Sequence, residues 1–462
     1  MAILSFLLTS VLLARAGGNP LPNQRCNTVH GGYTCYSQLA TEWGQYAPFF
    51  SLASESPISP EIPEGCQVTV VQALSRHGAR YPTASKNKVY KALIDNIQTI
   101  VTSLKGDYAF LKTYNYTFGS DDLTNYGELE MYQAGIAFYN RYERLAKDNV
   151  PFIRSSSSER VVESSEKFIS GFQATKDMDL FSDKSQDAPT ANVILEEGST
   201  FNNTLNHGVC PKFESSNLAD NVQDGFANIF IPKIKKRVQC NLPGISIDTD
   251  DVISLMDLCT FDTVYQTDNA SKLSPFCKLF THEEWVQYNY YQSLGKYYGY
   301  GAGNPLGPAQ GIGFVNELIA RLTRTPVQDH TSTNSTLDSN PATFPLNATL
   351  YADFSHDNGL TPIFFALGLY NGTKPLSTTE VESIFQTDGY SAAWSVPYAA
   401  RSYVEMMTCA YEEQPLVRIL VNERVIPLHG CKTDNLGRCT LNEFVDGLSF
   451  ARSGGNWETC FE

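Results

Sequence analysis

After its first dozen residues the sequence has no uninterrupted apolar run near the roughly 18 residues that a bilayer span needs, so no membrane helix is expected. It is short of positive charge: 34 Lys and Arg stand against 49 Asp and Glu, a formal net charge of −15. Nucleic-acid binding requires clustered cations on phosphates, so no nucleic-acid partner is expected. The one basic run, Lys233, Lys235, Lys236 and Arg237, reads as a solvated helix face. None of the 11 cysteines falls in a CxxC spacing, which argues against zinc. No other cluster of Asp, Glu and His suggests a metal, and no GxxxxGK[ST] loop supports P-loop nucleotide hydrolysis. Neither a metal nor a cofactor is expected. Internal repeats are lacking as well.

The 462 residues suffice for one large domain or two packed units. Residues 1–16 read as a signal peptide: Ala2 to Leu13 are mostly apolar, and Ala14-Arg15-Ala16 offers small residues for cleavage. The expected location is therefore extracellular. Six N-x-[ST] sites, at Asn115, Asn202, Asn269, Asn334, Asn347 and Asn371, become glycan candidates on a secreted chain. Eleven cysteines suit an oxidising compartment. Cys26–Cys35, Cys259–Cys277 and Cys431–Cys439 are close enough in sequence to form local bridges, and the odd count leaves at least one thiol over.

Residues 17–60 read as an irregular N-terminal arm. Val68 to Leu74 is short, β-branched and apolar on both faces, the pattern of a buried strand. Tyr90, Leu93, Ile94, Ile97, Val101 and Leu104 recur at helical spacing. Further helices are expected over Thr124–Leu145, from Ser158 onward, and through Glu317–Leu322. Thr349 to Phe354 is a second strand candidate. Leu416–Val421 and Arg424–Leu428 suggest a hairpin that turns at Asn422-Glu423. Strands alternating with helices indicate an α/β fold. The less periodic stretch 180–290 reads as a smaller, mostly helical unit inserted into a domain covering 61–462.

The chemistry concentrates in Arg76-His77-Gly78-Ala79-Arg80-Tyr81-Pro82, directly after the first strand candidate. Ligands of open α/β sheets bind at the carboxyl ends of strands. Guanidiniums match phosphate oxygens in bidentate geometry, and a neutral imidazole is a competent nucleophile toward phosphorus. That role requires the second ring nitrogen to hold its proton on a fixed acceptor. Ser355-His356-Asp357-Asn358 follows the other strand candidate. If the two ends meet, His356 can bind a phosphate oxygen and Asp357 can protonate the leaving oxygen. Phe152-Ile153-Arg154-Ser155-Ser156-Ser157-Ser158-Glu159-Arg160 places Arg160 at a helix start, where backbone N–H groups already favour an anion.

Together RHGARYP, SHDN and FIRSSSSER resemble the histidine acid phosphatases, and within them the fungal phytases. The likeness extends to WGQYAPFFSL, KYYGYGAGNPLGPAQG and LSFARSGGNWETC. It implies a phosphoglycerate mutase-like fold, in which a large domain with a central mixed sheet flanked by helices accompanies a smaller, mostly α-helical domain. It implies removal of phosphate from inositol hexakisphosphate (phytate) through a phosphohistidine on His77. Arg76, Arg80, Arg160 and His356 would grip the phosphoryl group, and Asp357 would be the general acid. Arg154 would be supportive. Gln45, Tyr46, Thr83 and Lys296 match inositol phosphate contacts. The disulfides it implies are Cys26–Cys35, Cys66–Cys409, Cys210–Cys460, Cys259–Cys277 and Cys431–Cys439, with Cys240 free. Val89 and Gly295 stand where related chains can carry Lys, which makes the rim less basic. The partner is then a small molecule, and a monomer is expected. A broad-specificity acid phosphatase with the same mechanism is the alternative. A mutase-like phosphotransferase and a binding protein on an inactive scaffold are further rivals; the secretory features and the intact His77, Arg80 and Asp357 count against them respectively.

Overall fold

A computed structural model describes residues 27–28, 32–33, 37–265 and 272–462. The signal peptide, Cys26, Cys35 and Asn269 lie outside the described residues. Eight strands form one mixed sheet. In chain order they are β1 (Cys66–Arg76), β2 (Phe152–Ser156), β3 (Ala191–Leu195), β4 (Leu350–Ser355), β5 (Arg401–Cys409), β6 (Leu416–Val421), β7 (Arg424–Ile426) and β8 (Cys439–Thr440). The spatial order is β8-β6-β5-β1-β4-β2-β3, with β7 paired to β6. The β1, β4, β2 and β3 strands are mutually parallel, and β5 joins β1 antiparallel.

The main helices are α1 (Ala84–Ile100), α2 (Asn125–Arg141), α3 (Glu159–Met178), α4 (Leu218–Asn241), α5 (Thr249–Tyr265), α6 (His282–Tyr300), α7 (Ile312–Thr323) and α8 (Asp357–Ala366). The apolar stripe of α1 is buried at Tyr90, Leu93, Ile94 and Ile97, as its spacing predicts. Phe138 of α2 and Phe168 and Phe172 of α3 pack with Ala73, Ala352 and Phe354 of the sheet. Each fully buried side chain of this size contributes roughly 1.5–3 kcal/mol, so this face anchors the strands that carry the RHG and SHD segments.

One expectation changes. Within 180–290, Ala191–Leu195 is an edge strand of the large sheet rather than part of a helical unit; the continuous helical stretch starts later, with α4, α5 and α6. Within the arm, Trp43, Tyr46, Ala47, Phe50 and Leu52 join the main core. The expected hairpin turn is present, with Asn422 and Glu423 at φ 48° and 70°, the left-handed pair that a tight two-residue turn requires. The basic run lies on α4, where Lys233 and Lys236 are exposed.

Among the described residues, Cys66–Cys409, Cys210–Cys460, Cys259–Cys277 and Cys431–Cys439 form disulfides, and Cys240 is free and exposed. Cys66 and Cys409 are register partners on β1 and β5. They sit at the opposite end of β1 from Arg76, about 33 Å away at ordinary strand rise. The bridge closes a loop of 343 residues. Cys66→Ser with Cys409→Ser is therefore expected to destabilise the fold by ~2–4 kcal/mol, read as a lower denaturation midpoint. The folded fraction should keep its kcat.

Candidate active site

Arg76 of β1 pairs in register with Ser355 of β4. Both parallel strands therefore stop at the same level, and the residues that follow leave the sheet side by side. The His77 N–H donates to the Ser355 carbonyl at 3.1 Å, and the rings of His77 and His356 are 5.5 Å apart. The loop after β1 is fixed from several directions. The Gly78 N–H donates to Ser164 Oγ (3.1 Å), and the Ala79 N–H donates to Glu130 Oε2 (2.8 Å). The other oxygen of Glu130 accepts from the Phe49 N–H at 2.9 Å. A Cβ on Gly78 would lie 2.3 Å from the Gly127 carbonyl oxygen, so only glycine lets the start of α2 press this close.

His77 Nδ1 is 2.8 Å from the Gly78 carbonyl oxygen. A carbonyl only accepts, so Nδ1 carries the proton and Nε2 keeps its lone pair. The ring is 1% exposed. Burial, and after it the neighbouring Arg76, His356, Arg160 and Arg80, push its pKa well below the ordinary 6.5. These neighbours therefore keep the ring unprotonated into acid.

Arg76 is fully buried. Its Nη1 donates to the carbonyls of Gln45 and Val396, its guanidinium lies 4.5 Å from the centre of the Tyr398 ring, and its Nη2 is 3.5 Å from Asp357 Oδ1. Arg80 donates to the Tyr81 carbonyl at 2.8 Å. Arg160, the second residue of α3, has Nη2 3.4 Å from His356 Nδ1. The Nε atoms of Arg76, Arg80 and Arg160 have no hydrogen-bond partner among the described residues. Buried unpaired donors cost about 1–3 kcal/mol each, and phosphate oxygens are the acceptors they suit.

Asp357 opens α8, with His356 as its N-cap. Burial alone would raise its carboxyl, but Arg76 and Lys296 hold it well below the usual carboxylate range. Lys296 Nζ pairs with Asp357 Oδ2 and donates to Asn358 Oδ1 at 2.5 Å. Gln45, Tyr46, Lys296 and Asn358 line a cleft of about 250 Å³ together with Lys86, Gln223 and Gln292. Gln45 Nε2 donates to Gln292 Oε1 at 2.7 Å. Thr83, half-buried, caps the start of α1 and lies 3.3 Å from the Ser85 hydroxyl. Arg154 sits deeper, paired with Asp353 (2.9 Å) and Glu317 (2.6 Å). It braces β2 against β4 and does not join the clamp.

The histidine phosphatase superfamily (branch 2) matches residues 67–422. This chain belongs to that superfamily. It is 60% identical over 465 residues to Phytase A of Aspergillus fumigatus, covering 100% of both chains. It is 56% identical over 436 residues to Phytase A of Penicillium oxalicum, covering 94% of each. Among solved structures it is similar to the phytase from D. castellii, with TM-score 0.70 and 25% identity over 92% of this chain and 87% of that one. Its fold is shared with a Bifidobacterium longum multiple inositol polyphosphate phosphatase in complex with inositol hexasulfate, with TM-score 0.64 and 15% identity over 89% and 98% of the chains. Within this histidine phosphatase the matched span contains Arg76, His77, Arg80, Thr83, Arg160, Lys296, His356 and Asp357, whereas Gln45 and Tyr46 precede it.

Several residues at the site belong to no motif recognised in the sequence. Glu197 accepts from or pairs with His356 Nε2 at 2.8 Å. Glu130 holds the RHG loop, and Tyr398 underlies Arg76. The rim is less basic than its lysines suggest. Lys86 Nζ is 2.7 Å from buried Asp257, which also accepts from Tyr90 and Tyr288. Val89 is 52% exposed and bears no charge. A Cβ on Gly295 would meet the Gln223 amide at 2.6 Å, so Gln223 fills the space a side chain at 295 would use.

Proposed function

We propose that this histidine phosphatase is a secreted phytase that works through phospho-His77, and the tautomer of His77 carries the proposal. With Nδ1–H held by the Gly78 carbonyl, the Nε2 lone pair forms the bond to phosphorus as the bond to the inositol oxygen breaks. Arg76, Arg80, Arg160 and His356 take the charge on the equatorial oxygens, which is most of what phosphoryl transfer asks of a protein. Asp357 gives its proton to the departing oxygen. Water then attacks phosphorus, its proton passes to Asp357, and the P–N bond breaks. In the free site Asp357 is ionised beside Arg76 and Lys296. A bound phosphate neutralises those cations, and the carboxyl can then be protonated in acidic medium.

Gln45, Tyr46, Thr83 and Lys296 are assigned to the inositol phosphate beyond the reacting group. Supporting secretion are the four disulfides, the exposure of Asn115, Asn202, Asn347 and Asn371, and the lack, among the described residues, of any helix long and apolar enough to cross a membrane. We assign the enzyme as a monomer, with the helices from α4 to α6 as its smaller unit.

One observation favours the second reading, a broad-specificity acid phosphatase. Lys86 is neutralised by Asp257, and no lysine stands at 89 or 295, so little free positive charge remains outside the clamp. Comparing kcat/KM for phytate and p-nitrophenyl phosphate at pH 5 decides between them. The phytase reading expects phytate to be preferred; equal or poorer use of phytate would replace it with the broader activity.

A further inference from the structure

A carboxylate next to a phosphate clamp repels the very ligand the clamp attracts, so Glu197 needs a reason to be there. It stands just after β3 and reaches two other strand ends. Its N–H donates to Ser157 Oγ at 3.1 Å, and its Oε1 accepts from the Ser158 N–H at 3.2 Å, at the turn from β2 into α3 that presents Arg160. The same Oε1 is 2.8 Å from His356 Nε2, beyond β4. Burial would raise its carboxyl, but the bonds from His356, Ser156 and Ser158 bring it down to about 2. Glu197 therefore stays ionised well into acid.

An ionised carboxylate only accepts, so His356 Nε2 carries a proton and Nδ1 is left beside Arg160. In neutral His356, Nδ1 offers a lone pair, which can accept from Arg160 but cannot donate to a phosphate oxygen. Donation requires a second proton, on Nδ1. The charged groups that face His356 are Glu197, Arg160 on α3, and Asp357 on α8, with the His77 ring 5.5 Å away. Burial and Arg160 disfavour the imidazolium and outweigh Glu197 and Asp357, which favour it, so in the free site the His356 pKa lies below the ordinary 6.5. Once Asp357 takes up its own proton, Glu197 is the protein carboxylate that remains ionised beside His356.

We propose that Glu197 is a positioning residue that fixes the His356 tautomer and sustains its doubly protonated form, making His356 a charged donor to the bound phosphoryl group. The inference rests on the phosphatase reading and assigns one more residue to it.

Glu197→Gln keeps the size and the acceptor oxygen but loses the charge. The base limb of its kcat/KM profile is expected to move about one unit toward acid, with activity near wild type at low pH and roughly tenfold lower on the falling limb. Inhibition by inorganic phosphate should weaken in parallel above that limb. Glu197→Asp, which keeps the charge, should restore the position of the limb. An unmoved limb in the Gln variant, or tighter phosphate inhibition at every pH, would overturn the proposal. The wild-type enzyme supplies a second measurement should the variant not fold. Nitrogen-15 NMR of His356 should show Nε2 protonated throughout and Nδ1 gaining a proton when inorganic phosphate binds. An unprotonated Nε2, or no change at Nδ1, would overturn the proposal equally. A wild-type enzyme that releases phosphate from neither phytate nor p-nitrophenyl phosphate would instead overturn the phosphatase reading.

Discussion

His77→Ala is expected to lower turnover of every phosphate monoester by about 10⁴-fold or more, because loss of the attacking nitrogen removes the covalent route altogether. The site explains why the effect should not depend on the substrate. The arginine clamp and Asp357 remain in the variant, so binding survives, but water has no equivalent of a lone pair held in line by the Gly78 carbonyl. KM or inhibition by inorganic phosphate should change little, and no acid-stable or base-stable labelled protein should be trapped from labelled phytate. The wild-type enzyme should trap label on His77. Near-normal turnover in the variant, or label on another residue, would contradict the mechanism. A pH consequence follows from the same geometry. Burial and the neighbouring arginines Arg76, Arg160 and Arg80 hold the His77 pKa well below 6.5. Activity should therefore persist into acid, where an ordinary histidine would be protonated and inert. The acid limb should move toward neutral pH when Arg80, one of those cations, is replaced by Gln.

Asp357→Asn should separate substrates by their leaving groups. An inositol alkoxide cannot depart without a proton, so phytate turnover is expected to fall ~10²–10⁴-fold, the usual span of general-acid catalysis. The phenolate of p-nitrophenyl phosphate departs unaided, and its phosphorylation step should fall less than about tenfold, measured as the burst phase of single-turnover kinetics. Asn retains the size of Asp but leaves Lys296 and Arg76 without their counter-charge, so the folding midpoint has to be checked alongside. Equal losses on both substrates would remove Asp357 from the general-acid role and leave it an electrostatic partner of Lys296.

Much of this site was legible along the chain, for a reason that can be traced. Arg76, His77 and Arg80 are neighbours in sequence, as are His356 and Asp357, and each group directly follows an apolar run that reads as a buried strand. Local periodicity also placed α1, α2 and α3, and the Asn422-Glu423 turn. It gave nothing where burial was compensated from a distance, and it misled at one edge. β5 lies in the middle of the sheet yet carries buried Glu405, whose charge is met by Arg418 (2.7 Å) and Arg141 (2.8 Å). β3 is short, exposes Ile194 at an edge, and sits among polar turns, so its strand pattern was lost within a stretch read as helical.

Along the chain alone, the residues pointed to the kind of chemistry: which functional groups are present, that each cluster follows a strand candidate, and that their charges suit phosphate. Only the tertiary structure decided that β1 and β4 are parallel neighbours ending at one level, that Nδ1 of His77 is the protonated nitrogen, that Asp257 quenches Lys86, and that Glu197 faces His356. The division has a physical cause. Reactive groups and short-range periodicity are properties of neighbouring residues, whereas strand register and the partners of a buried charge depend on atoms hundreds of positions away, which no local pattern records.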